Sequence, residues 1–222
     1  MHETSGMPEG FDGAGSEPRS AFIEHFAFLC ADSADRELLT EVAQRVTVCD
    51  IAPDGSAHAV LLWDDVEHEL VCAPPFTGQV GHGVPASYAA IAGTHNGVSW
   101  DAYGGGPLGF PGLDADGLPA GFGQWEWDTL EVGDNEEVIA RLDGAGIALQ
   151  DLWEAFGSGQ NWILFDPLRT TAGAEMALVF VSHDSAEWEP VESTVGVGYG
   201  AVLLWQLADY FLDTELIVEQ YT

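Results

Sequence analysis

The chain contains no lysine: 37 Asp and Glu stand against five Arg in 222 residues, a formal net charge of −32. A folded chain of this mass exposes on the order of 10,000 Å², or about one net charge per 300 Å² if charge is spread evenly. Neighbouring charges would then sit roughly 18 Å apart, beyond a Debye length of about 8 Å. Even spreading is tolerable, whereas clustering costs stability and implies that something else is gained. The missing lysines also remove chemistry. There is no P-loop lysine, no Schiff-base lysine and no lysine general base. A surface this negative repels phosphate backbones and anionic membranes, so nucleic acid and membrane are disfavoured and basic partners are favoured.

Hydrophobic residues make up 46% and include eight Trp, enough for a real core despite the charge. No apolar run reaches the roughly 18 residues of a membrane span. The longest, residues 195–205, is broken by Gly196, Gly198 and Gly200. The first ten residues lack a basic region followed by an apolar stretch, so no secretory signal is read there. Cys30, Cys49 and Cys72 are an odd number at wide spacing, unlike a disulfide framework. These features predict a bacterial or archaeal cytoplasmic protein.

Along the chain, residues 1–20 read as a mobile acidic tail and residues 21–222 as a single domain. Leu38, Leu39, Val42, Ala43 and Val46 share one face of a helix over residues 33–46. Residues 58–63 and 70–73 read as a hairpin whose turn carries Asp64, Asp65 and Glu67. Pro85 opens a helix bearing Tyr88, Ile91 and Ala92, and Asn96-Gly97 is expected to end it. Residues 103–122, crowded with glycine and proline, read as a long loop. Asp134 and Glu137 form a capping pair for a helix through Leu142, and residues 149–156 read as a helical turn or two. Residues 161–166 and 176–183 are the strongest strands. Residues 199–213 form a largely apolar helix with one polar stripe: Gln206, Asp209 and Asp213.

Motifs that could carry chemistry fall short of their patterns. His68-Glu69 begins like a zinc-protease helix, but Cys72 stands where the second His is needed. The His and Cys residues show no zinc-ligand spacing. Asp114-Ala-Asp116-Gly117 begins like a calcium loop, yet Trp125 occupies the position of the bidentate acid. Gly157-Ser158-Gly159 lacks the nucleophile-elbow spacing, and Gly196-Val-Gly198-Tyr-Gly200 is not a dinucleotide fingerprint. A glycosidase carboxylate pair among 37 acids would arise by chance. No catalytic residue, metal or cofactor is therefore expected.

Three acidic segments contain no Lys or Arg, and two of them carry Trp. Asp64, Asp65 and Glu67 form the first. Trp125, Glu126, Trp127, Asp128 and Glu131 form the second, and Asp184, Glu187, Trp188 and Glu189 the third. One reading is a solvated surface adapted to high salt. The other is a negative docking surface with aromatic anchors, since interface hot spots favour Trp and charge steers encounter.

Four elements, in order, resemble the SUKH superfamily, named for its yeast cell-wall regulator and bacterial relatives. They are Pro85-Ala-Ser-Tyr88 running into His95-Asn96-Gly97, the strand from Asn161 to Asp166, the strand from Ala177 to His183-Asp184, and the helix after Tyr199. The resemblance spans residues 84–212, interrupted by the insert at 103–122. It implies an α+β fold with helices packed on one curved, mainly antiparallel sheet. It also implies a protein-binding module without catalytic residues, bacterial members being immunity proteins against toxins that are often nucleases. The expected partner is a basic toxin. The alternative is an intracellular adaptor on the same fold, in a high-salt host.

Overall fold

The computed structural model describes residues 17–102, 106–122, 136–159, 161–170, 175–182, 188–194 and 196–217. Helix and strand are mixed around one open antiparallel sheet of nine strands, each paired with its neighbours in sequence.

The chain enters through α1 (Pro18–Phe26), with proline in the first turn where its missing N–H costs nothing. The tail therefore yields to helix before residue 20. Asp32 caps α2 (Ser33–Ala43), its Oδ1 accepting from the N–H groups of Ala34 and Asp35. Strands β1 (Val46–Ile51), β2 (Ala57–Trp63) and β3 (Val66–Cys72) follow as a meander. The β2–β3 turn is only Asp64-Asp65, because Trp63 pairs with Val66. Both turn residues have positive φ, 51° and 62°, as a type I′ hairpin requires.

Helix α3 (Ala86–Ala92) buries Tyr88, Ile91 and Ala92, as the apolar spacing predicts. It ends at Gly93, before Asn96-Gly97. The Asn96 side chain instead bridges to the next segment. Its amide donates to the Leu113 carbonyl at 2.9 Å and accepts from the Leu113 N–H at 2.7 Å, imitating a strand pairing. Next come β4 (Val98–Ala102) and β5 (Gly106–Phe110). The latter lies inside the segment read as loop. Gly109 makes this strand possible, since at φ 108° an added Cβ would sit 2.2 Å from the Val98 carbonyl and 2.7 Å from the Trp100 ring.

Helix α4 (Glu136–Ala145) forms, while its expected cap Asp134 lies outside the described residues. Residues 149–151 make one 3-10 turn, but the rest of the expected helical stretch is strand β6 (Glu154–Ser158). Strands β7 (Asn161–Thr170), β8 (Met176–Val181) and β9 (Trp188–Pro190) complete the sheet, and α5 (Tyr199–Leu212) closes the chain. Of the polar stripe of α5, only Asp213 is exposed. Gln206 is buried and donates to the Gly157 carbonyl at 3.1 Å, while Asp209 accepts from Thr214, Leu216 and Ile217 to tie down the chain after the helix.

Helices cover both faces of the sheet. The larger core joins α1, α2, α3 and α5 to Leu61, Leu70, Trp100, Phe110, Ile163 and Phe165 on the inner face. A second core joins Leu142, Leu149 and Leu152 to Trp162, Leu164, Val179 and Val181, the alternate positions of β7 and β8, hence the outer face. Burial on both sides explains why these two strands read as unbroken apolar runs.

Candidate functional site: the open end of the outer face

Strand register carries the outer face across the sheet. One row runs Asp50, His58, Val71, Ser99, each opposite the next on the neighbouring strand. A second runs Val48, Val60, Glu69, and Leu62 stands opposite Glu67. The first row continues through Gly109 and Gly157 to Trp162 and Val181, in the second core. The same face is thus covered at β7 and β8 and open at β1 to β3. At the open end Val71 is 49% exposed, Val48 37% and Leu62 36%. Strand β3 shows the contrast residue by residue, since His68, Leu70 and Cys72 are buried while Glu67, Glu69 and Val71 are exposed.

Charge on this face is acidic except at its edge, where the exposed Arg45 precedes β1 and its carbonyl accepts from the Leu62 N–H at 2.8 Å. Asp50, Glu67 and Glu69 stand among the aliphatic side chains, and the exposed Asp64 and Asp65 form the hairpin tip beside them. No Lys or Arg occurs between residues 46 and 140, so strands β1 to β5 supply no neutralising cation. His58 is the one basic ring here, 3.9 Å from the Glu69 carboxylate, an exposed pair worth little at neutral pH.

The described residues of the first and third acidic segments do not converge. Asp64, Asp65 and Glu67 lie at the open end. Trp188 and Glu189 lie on β9, six strand spacings from β3, or about 29 Å along the sheet. The Trp188 ring is half-buried against the second core, which gives it a packing role. Trp125, Glu126, Trp127, Asp128, Glu131, Asp184 and Glu187 lie outside the described residues. Sequence reasoning missed the aliphatic residues Val48, Val60, Leu62 and Val71, although the Val-Glu-His-Glu-Leu-Val alternation of β3 signals a sheet with one wet face.

Other polar groups inside the fold serve structure. The Asp166 carboxylate, 1% exposed, accepts from Arg169 Nε at 2.7 Å and from the Leu168 N–H. Glu175 accepts from the Ser87 N–H and hydroxyl, both at 2.8 Å, anchoring the first turn of α3. His68, read at a strand start, is buried within β3 with its Nδ1 3.4 Å from the Tyr210 hydroxyl. Asp114 accepts from the Asp116 and Leu118 N–H groups in an ordinary turn. Burial pushes the Cys49 thiol up to about 11, with Asp50 adding to the effect, so it is no nucleophile at neutral pH. A groove of about 300 Å³ between α3 and the start of α5 is lined by Phe28, Cys30, Ser87, Ile91 and Gly200, with no charged group.

Among the described residues, no three His, Cys, Asp or Glu side chains are placed to hold a metal ion. Among them also, no helix is long and apolar enough to cross a membrane. No known family, curated protein or solved structure matches this chain.

Proposed function

We propose that this protein is a binding module for a basic protein, acting as an immunity protein that blocks a nuclease-type toxin. The observation that carries the reading is the open sheet face, with aliphatic side chains among carboxylates and no Lys or Arg from residue 46 to 140. Nucleases need basic surfaces to hold nucleic acid, and an acidic protein occupies such a surface by charge complementarity. The mixed helix and strand architecture around one antiparallel sheet is compatible with the SUKH resemblance and its protein-binding members. Co-expression with the products of adjacent genes, followed by pull-down at low and moderate salt, tests it. The expected result is a basic partner, released as salt rises and inhibited while bound. Recovery of nothing at either salt contradicts it.

A second reading is an adaptor of the same fold adapted to high salt. What favours it is that exposed acids also occur away from the open face: Glu37 and Glu41 on α2, Asp143 on α4, Asp213 and Glu215 after α5. A melting temperature that falls steeply on removing salt supports this reading, since bound cations then hold the acidic shell together. A flat curve removes it.

A further inference from the structure

We propose that the open face of β1 to β3 is the docking surface, and that its occupant is a protein presenting aliphatic side chains flanked by Lys or Arg. The inference rests on the binding-module reading and adds where contact is made and what chemistry makes it. Three strands, β1 to β3, about 14 Å across, and seven residues of strand, about 22 Å, give a face of roughly 300 Å². A partner usually buries about 800 Å² on each side, so this face supplies the centre of an interface and its acidic border the rim.

Charge selects the occupant. A second copy of the chain would bring Asp50, Asp64, Asp65, Glu67 and Glu69 against their own equivalents, with only His58 and Arg45 to answer five carboxylates. Nucleic acid and anionic membranes meet the same repulsion. A partner with aliphatic groups alone would cover Val48, Val60, Leu62 and Val71 yet strip water from three carboxylates without compensation. Aliphatic groups bordered by cations satisfy both parts of the face.

The test uses two acetylated octapeptides labelled for fluorescence anisotropy, one alternating Leu and Lys, the other Ser and Lys. Three variants of the full chain are compared with the wild type. One is Val48→Ser/Leu62→Ser/Val71→Ser, which removes exposed apolar groups and no charge. Another is Glu67→Gln/Glu69→Gln. The third, Glu37→Gln/Glu41→Gln on α2, removes the same charge elsewhere. The wild type is expected to bind the Leu-Lys peptide at least tenfold more tightly than the Ser-Lys peptide. The first two variants are expected to lose at least tenfold in affinity for the Leu-Lys peptide, and the third less than twofold. Amide shifts of the wild type, which depend on no variant, are expected to move at Val48, Val60, Leu62 and Val71 and not at Val179 or Val181. Equal binding of the two peptides, an unaffected serine variant, or shifts centred on β7 and β8 overturns the surface and leaves a basic partner in place. Binding of neither peptide by the wild type overturns the surface and the binding-module reading together.

Discussion

His25 and His95 meet Nε2 to Nε2 at 2.7 Å, joining α1 to the segment between α3 and β4. His95 is fully buried, and its Nδ1 lies 3.0 Å from the Ala73 carbonyl, where it must donate. Its Nε2 is therefore the acceptor, and His25 supplies the proton between the rings.

Burial holds both imidazoles below the usual 6.5, and the neighbouring His95 lowers His25 further. A depressed histidine contributes stability that is present above its unfolded value and lost as pH falls through the folded value. Replacing His25 by Gln keeps a donor toward His95 and removes one titrating group. Urea unfolding between pH 7.5 and 5 should show H25Q gaining on the wild type as pH drops, at up to about 1.4 kcal/mol per pH unit. Relief of acid repulsion affects both proteins alike. Parallel curves would show that the pair does not titrate on unfolding.

Glu154 is buried in β6 and accepts the Phe122 N–H at 2.9 Å, and desolvation raises its carboxyl above 4.5. Raised acids contribute stability below the unfolded value and lose it as pH rises through the folded one. Glu154→Gln retains an acceptor for Phe122 and removes the buried charge. Thermal melts at pH 7 should show the variant more stable by about 1 kcal/mol, with the advantage vanishing near pH 4. A loss at pH 7 would mean that the charge itself is held by the surrounding fold.

Asp64 and Asp65 occupy left-handed positions that Asn-Gly fills with less strain. The double change Asp64→Asn/Asp65→Gly should stabilise the protein by about 1 kcal/mol while weakening binding to the Leu-Lys peptide. That outcome would show charge kept at the hairpin tip at a cost in stability. A more stable variant with undiminished binding would leave the tip outside the interface.

How much of this is legible in the sequence depends on burial. Strands β7 and β8 declare themselves because both faces are covered, so residues 162–165 and 177–181 are apolar without a break. Helix α2 is equally plain, with Leu39, Val42 and Ala43 on its buried side. Strand β5 is hidden because Gly109 packs against Trp100, and a strand built on close backbone approach looks like a loop in one dimension. The rest of β6 is hidden for a similar reason: Gly157 sits against the Phe122 ring. Gln206 and Asp209 look like a wet stripe because composition cannot tell a solvated amide from one that bonds a buried carbonyl. The acidic half of the open face is visible in Asp64, Asp65 and Glu67. Its apolar half is not, because only pairing shows that Val48, Val60, Leu62 and Val71 come together.

The central claim is that charge on this face draws in a basic partner. Its most direct test is the association rate of the adjacent-gene partner, followed by stopped flow as salt rises from about 0.05 to 0.5 M. The account predicts a fall of at least about tenfold, with Glu67→Gln/Glu69→Gln slower at low salt and converging on the wild type at high salt. An association rate that does not change with salt would contradict it.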